Sequence, residues 1–471
     1  MSLDLTGPEQ LSRPIQRIDE LTGWLRGAEK PASQWRVGIE HEKLGVLVAG
    51  PVATQATAGE PLPPVPYAGP RGIRTLLTAL NARAGNGQRI HAEDGNPIAL
   101  MEPDGASVSL EPGGQLELSG APARGLAAVE EEVARHLAAV ARESGPLGMR
   151  WLAAGYRPFG AREAMPWMPK LRYRAMKSSL GPRGKLALDM MLMTATVQAN
   201  LDWSDEADLA DKVRAATAVS PLVSALFANS PLVQGRDSGY LDFRYQVWRE
   251  TDPSRCGLLE RMLEPGWGYR AYVEWALDVP LLFARRDGGY LDGKGQTFRS
   301  WLATGKLGQE PFQPTLSSWN DHLTTLFPEV RVKRVLELRG ADCVPPPYLL
   351  ALPALWMGIL YDPQARAAAW ELTRSWTFAQ RLEFQADVAR HALAAQGPKG
   401  ESALALAREL VGIAGEGLAR WAVPSGFDER RFLAPIAELA RSGRTLAERA
   451  LAEFTAANLD PASLIHCWAV A

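Results

Sequence analysis

The chain has 471 residues, 46% of them hydrophobic and 22% charged, with a formal net charge of −2. That length suits one elaborated catalytic domain or two to three ordinary domains, and the composition is that of a soluble globular protein. Near-neutral charge gives no electrostatic case for nucleic acid or an anionic membrane, and no run of about 18 apolar residues offers a membrane span.

The N-terminal stretch lacks the basic start and apolar core of a secretory signal. Cys256, Cys343 and Cys467 are too scattered for a disulfide framework or a thiolate metal site, so three reduced thiols in a cytoplasmic protein are expected. In chain order, residues 8–28 predict an amphipathic helix leading into a strand over 37–48. A Pro/Gly/Ala-rich segment, 49–70, predicts a surface loop. Helical periodicity follows over 72–85 and, most clearly, over 123–144. Residues 109–122 predict a short strand after a Pro-Gly-Gly turn, and 194–202 a fully alternating strand. A helix is expected over 205–228, capped by Ser204, and a strand over 330–342. From about 364 the sequence turns to Ala, Leu, Arg and Glu, which predicts several helices. The expected class is α+β: a sheet region over 1–363 and a helical region, 364–471, packed on the same domain.

Alternate residues of a strand share a face. By that rule Glu40 and Glu42 lie together, with Ile39, His41 and Lys43 behind them. Gln115, Glu117 and Ser119 share a face, as do Thr194, Thr196, Gln198 and Asn200, and as do Glu337 and Arg339. A solvated sheet face explains each strand alone. Jointly the strands offer short acceptors and a single guanidinium where a solvated face would be rich in lysine. Neighbouring glutamates repel unless a cation sits among them, and Mg²⁺ takes one or two carboxylates plus phosphates and waters. A face bearing Glu40, Glu42, Glu117 and Glu337 is therefore a candidate platform for Mg²⁺ and a nucleotide, with His41 packed behind it.

Other motifs are weaker. "GYLDGKG" spaces Gly288, Gly293 and Lys294 like a phosphate loop, but Gly295 replaces the metal-binding hydroxyl and a hairpin turn accounts for it better. No GxGxxG, GxSxG, HExxH or paired CxxC occurs.

The segments "GIEHEKLG", "LEPGGQLELSGAP", "MPKLRYRAM", "LDMMLMTATVQANLD", "ALFANSPLVQGRDSGYLDFRYQVWRETDPSRCG", "YVEWALDVPLLF", "DHLTTLFPEVRVKRVLELRGAD" and "ALPALWMGILYD" follow one another over most of residues 35–365. They resemble glutamate–cysteine ligases of the plant and proteobacterial type. The resemblance implies a curved antiparallel sheet like that of glutamine synthetase, surrounded by helices. It implies ATP-dependent joining of the L-glutamate γ-carboxylate to L-cysteine through γ-glutamyl phosphate, the first step of glutathione biosynthesis. Implied partners are ATP, glutamate and cysteine, with Mg²⁺ or alternatively Mn²⁺ as cofactor, and a monomer or homodimer. A ligase for another amine, or a non-catalytic relative, are the alternatives.

Carried over by position, Glu40, Glu42, Glu117 and Glu337 match metal-ligand positions. Glu111 is a further metal-ligand candidate; it precedes a turn, with capping or arginine pairing as the alternative. Arg339 is expected at the transferring phosphoryl group, with an ion pair to a glutamate as the alternative. Thr194, Thr196, Gln198 and Asn200 line the floor, and Arg244, Arg249 or Arg255 meet the glutamate carboxylates beside Trp248. Lys170 and Arg172 are weaker candidates for phosphate or substrate contact, with plain surface charge as the alternative. Ala replacement of Glu42 or Glu337 is expected to abolish activity and spare the fold. No plastid transit peptide is apparent, and a bacterial, constitutively reduced enzyme is expected.

Overall fold

An apolar-backed strand of eleven residues, β1 (Val37–Leu47), runs through the middle of a nine-stranded sheet whose ladders are all antiparallel. The protein is described by a computed structural model over residues 11–48, 62–83 and 89–471. On one side of β1 lie β7 (Val197–Leu201), β9 (Leu336–Leu338) and β8 (Val330–Val332). On the other lie β5 (Leu116–Ser119), β4 (Ser107–Leu110), β3 (Asn96–Met101) and β2 (Arg89–Glu93), while β6 (Met149–Leu152) pairs with the C-terminal end of β1. The expected α+β class with an antiparallel sheet is the one observed.

One face of this sheet is apolar because alternate residues are Ile39, Val197, Ala199, Leu201, Leu336, Leu338, Leu116 and Leu118, all buried. Against it packs α7 (Ala351–Leu360), every residue of which is buried. A helix apolar on all sides must be enclosed. The enclosure comes from α5 (Glu206–Leu226) and above all α9 (Ala403–Ser425), while α8 (Phe378–His391) packs on α5, so the C-terminal helices complete the core behind the central strands. The α7–α9 crossing is close. A Cβ on Gly417 would lie 1.8 Å from the Gly358 carbonyl oxygen.

Local chemistry explains where the structure departs from sequence expectation. The first helix, α1, is confined to Asp19–Arg26 because Pro14 and Ile15 instead pair with Thr315 and Pro314. Residues 8–10 and 49–61 of the expected helix and loop lie outside the described residues. Helices α2 (Ile73–Arg83) and α3 (Leu126–Ser144) fall where periodicity places them. Helix α5 is capped by Asp205, not Ser204, through a bond from the Asp208 amide. The expected single strand over 330–342 is a hairpin, β8–β9, that pairs Arg331 with Glu337. Strands β2, β3 and β6 were not anticipated. "GYLDGKG" is a hairpin strand and a turn, with Lys294 at φ 53° and its amide on the Asp292 carboxylate.

His41 sits on the apolar face with no exposure and, among the described residues, no hydrogen-bond partner for either ring nitrogen. Lys43 is equally buried and donates to the His41 carbonyl at 2.9 Å. Burial pushes the Lys43 ammonium down to about 7.

Gly417→Ala is expected to destabilise the protein by about 1–3 kcal/mol, because the new methyl meets backbone that cannot give way. Gly412→Ala, on the open side of the same helix with nothing within 4 Å, should stabilise by about 0.5–1 kcal/mol. Urea unfolding of the two variants checks both signs.

Candidate active site

Register decides which polar side chains meet. Glu40 of β1 stands between Gln198 of β7 and Ser119 of β5. Two residues on, Glu42 stands directly opposite Glu117, which stands opposite Ser109 of β4. Across β7, Asn200 faces Glu337 of β9. These side chains occupy one face, so the polar floor expected from alternation is a real surface spanning β9, β7, β1, β5 and β4.

The two cross-strand carboxylates are set differently. Ser109 and Ser119 hydroxyls each donate to Glu117 at 3.0 Å. Glu117 stays ionised, at about 2, against its own burial, with Lys170 and those hydroxyls among the groups that favour the charge. Glu42 accepts from the Thr196 amide at 3.1 Å. Enclosure first, then the charges of Glu111 and Glu117, push Glu42 well above the carboxylate range, opposed by Arg244 and Arg339. Burial and Glu117 raise Glu111 to about 7. Carboxylates that raise one another are a site short of positive charge.

Glu40 accepts from the Asn200 side-chain amide at 3.1 Å. Glu337 is different in kind. It has no exposure and takes Arg331 at 2.6 Å, Lys333 at 2.5 Å and the Arg339 guanidinium. Burial would raise it, but those three cations hold it well below the carboxylate range. Arg339 also donates to Gln198 at 2.8 Å and lies 5.7 Å from the Trp248 ring and 5.8 Å from the Phe327 ring. Burial disfavours its charge, yet Glu337, Glu40 and Glu42 raise its affinity for the proton. The ion pair given as the alternative for Arg339 is present, and it lies on the floor face.

Helix α6 (Phe243–Arg249) carries the other sequence candidates. Arg244 is 2% exposed and donates to the carbonyls of Arg339 at 3.0 Å and Gly340 at 3.2 Å. It thus holds the end of β9 instead of opening toward solvent. Trp248 stacks between Arg244 and Arg339. Arg249 is exposed and borders a groove of about 520 Å³ lined also by Arg183, Lys185 and Thr251. Arg255 is not brought to the floor; it is fully buried on Asp252 and the carbonyls of Thr325 and Pro280. The hydroxyls of Thr194 and Thr196 turn to the carbonyls of Met190 and Ala341. Lys170 is buried near Glu111 and Glu117, not a surface charge, whereas Arg172 bonds Thr324.

Several participants were missed. Arg331 and Lys333 share the floor with Glu337, against the expectation of a single guanidinium; period-two counting through "VRVKRV" would have found them once the hairpin was recognised. Glu329 accepts from the Tyr245 hydroxyl at 2.9 Å and from Gln385 of α8, and burial raises it to about 7. No sequence signal linked Gln385 to the sheet. Among the described residues, no three His, Cys, Asp or Glu side chains converge as a ready metal cage.

A floor of carboxylates edged by guanidinium groups defines a class of α+β protein that manages anionic oxygen with cations. The model of glutamate–cysteine ligase family 2 matches residues 36–460, and the chain belongs to that family. Chloroplastic glutamate–cysteine ligases of Brassica juncea and Arabidopsis thaliana are each 40% identical over 442 residues, covering 93% of this chain and 81% and 80% of theirs. A glutamate–cysteine ligase of Francisella tularensis, solved with AMP, covers 92% of this chain and 91% of its own at 13% identity and a TM-score of 0.45, too loose a likeness to place any side chain. The chloroplastic designation of these relatives overturns the cytoplasmic location expected from the sequence. No helix among the described residues is long and apolar enough to cross a membrane.

The burial of Glu337 changes one expectation. Glu337→Ala leaves Arg331, Lys333 and Arg339 buried without their counter-charge, so it should destabilise the fold by about 3–5 kcal/mol and not spare it. Glu42→Gln, at a partly buried site that carries excess negative charge, should unfold at the wild-type urea midpoint or slightly above.

Proposed function

We propose that this chain joins the γ-carboxylate of L-glutamate to the amine of L-cysteine at the expense of ATP, giving γ-glutamylcysteine, ADP and phosphate. The floor is read as the glutamine synthetase-like platform for that reaction, with residues 1–363 and 364–471 acting as one unit. The observation that carries this reading is the cross-strand pair Glu42–Glu117 beside Arg339, on one face of the sheet.

Chemistry dictates the order of events. A carboxylate is a poor acyl donor because its leaving group would be oxide. Its oxygen therefore first attacks the γ-phosphorus of ATP, and ADP departs. The cysteine amine then attacks the acyl phosphate, loses a proton and expels phosphate. The first step brings two anions together, so positioned positive charge is the main requirement. Arg339 supplies a planar fork at the floor, oriented by Gln198 and backed by Glu337. Trp248 and Phe327 wall that fork off from water.

The donor set fits a divalent cation in part. Glu42, Glu111 and Glu117 raise or oppose one another's charge and supply hard oxygen ligands that ATP phosphates would complete. Glu40 and Glu337 fit less well, because Asn200 and three cations already occupy them. Mg²⁺, or Mn²⁺ in its place, would neutralise phosphate charge there.

Phosphate release from ATP in the presence of glutamate, with cysteine titrated against other amines, tests the reading. Saturable dependence on cysteine is expected; dependence on a different amine would establish another glutamate ligase. Glu42→Gln should lower kcat by about 10²–10³-fold, and Arg339→Lys by about 10²-fold, since an ammonium cannot copy the fork. Unchanged turnover in Glu42→Gln would remove the floor from the mechanism.

A further inference from the structure

Beneath Arg244 lie two acidic side chains that the reaction does not use. Asp242 caps the start of α6, and Asp342 follows Arg339 by three residues; neither has any exposure. Their donors are distributed unevenly. The Tyr245 amide donates to Asp242 Oδ1 at 2.8 Å. The Asn229 amide and the Ser230 hydroxyl donate to Asp342 Oδ2 at 2.8 and 2.6 Å. Among the described residues, Asp242 Oδ2 and Asp342 Oδ1 have no donor. One side chain touches both carboxyls: the Ser230 hydroxyl lies 2.6 Å from Asp342 Oδ2 and 3.4 Å from Asp242 Oδ1. Gly155 closes the pocket, since a Cβ there would stand 2.1 Å from the Asp342 carboxyl.

Two fully buried carboxylates that meet at one hydroxyl repel strongly and are costly to ionise together. One proton held between the pair leaves a single negative charge facing Arg244. We propose that Asp242 and Asp342 share one proton, and that this one-proton pair is the positioning element that fixes Arg244 and, through it, the end of β9 carrying Arg339. The second half rests on the role given to Arg339 above; the shared proton does not.

The connection is short. Arg244 donates to the Arg339 and Gly340 carbonyls, and its own amide donates to the Ser230 hydroxyl that bonds Asp342. The groups facing the pair are Arg244 and the Tyr245 amide from α6, Asn229 and Ser230 after α5, and the buried Cys343 thiol next in the chain. Burial and then the charge of Asp342 push Asp242 well above the carboxylate range. Burial also raises Asp342, opposed by Arg244 and by the Ser230 and Asn229 hydrogen bonds. A raised acid loses its proton as pH climbs beyond the ordinary carboxylate range, so the pair should fail on the alkaline side.

Asparagine mimics the protonated partner: its oxygen takes the existing donors and its amide faces the remaining carboxylate. D242N and D342N should therefore each retain most of the wild-type kcat, while D342A, which leaves Asp242 charged and unpaired, should lose about tenfold or more. The wild-type kcat should fall at alkaline pH on a limb that is absent from both asparagine variants. Infrared spectra of resting enzyme at pH 7 should show a deuterium-sensitive protonated-carboxyl band that D242N and D342N each remove. Loss of the band without change in the alkaline limb would keep the shared proton and overturn the positioning role. An undiminished band in both variants would overturn the shared proton itself, whatever reaction the enzyme performs.

Discussion

The buried charge cluster around Glu337 is the constraint on which the floor depends. A carboxylate with no exposure is tolerable only where its charge is matched, and here Arg331, Lys333 and Arg339 match it from the same hairpin. The cluster has more cations than anions, so it leaves Arg339 with positive charge to spare toward the floor. It also ties the hairpin to β7, because Arg339 reaches Gln198 and Asn200 pairs with Glu337 in register.

The opposite end of the floor has the reverse imbalance. Glu42, Glu111 and Glu117 gather where Lys170 is the nearby buried cation, and burial drives two of the three toward protonation. One sheet face thus runs from excess positive at β9 to excess negative at β5. A substrate pair in which a carboxylate meets a polyphosphate needs cations at the transferring group, and the floor carries one fixed guanidinium, Arg339, at its positive end.

Support for this face comes from the C-terminal helices as much as from the sheet. Helix α7 covers its back, α9 encloses α7 through glycine contacts, and α8 sends Gln385 to Glu329 beside Arg339. Arg244 and the acid pair beneath it hold the same strand end from α6. The polar floor is therefore held from four helices, α6, α7, α8 and α9, of which α8 and α9 carry no motif of their own.

Alternation by itself determined that Glu40 and Glu42 share a face, that Gln198 and Asn200 share another strand's polar side, and that His41 packs behind. These follow from a period of two, which needs no knowledge of the partner strands. Family membership was legible from the motifs between 35 and 365 for the same reason: local sequence carries them. Register was not legible. Only pairing set Glu42 against Glu117 and turned 330–342 back on itself, bringing Arg331 and Lys333 onto Glu337. Nor could sequence say which arginine serves which oxygen. Arg244 went to backbone carbonyls, Arg255 to a buried aspartate and Arg249 to the surface because burial and unsatisfied carbonyls, which are properties of the packed whole, decide where a guanidinium comes to rest.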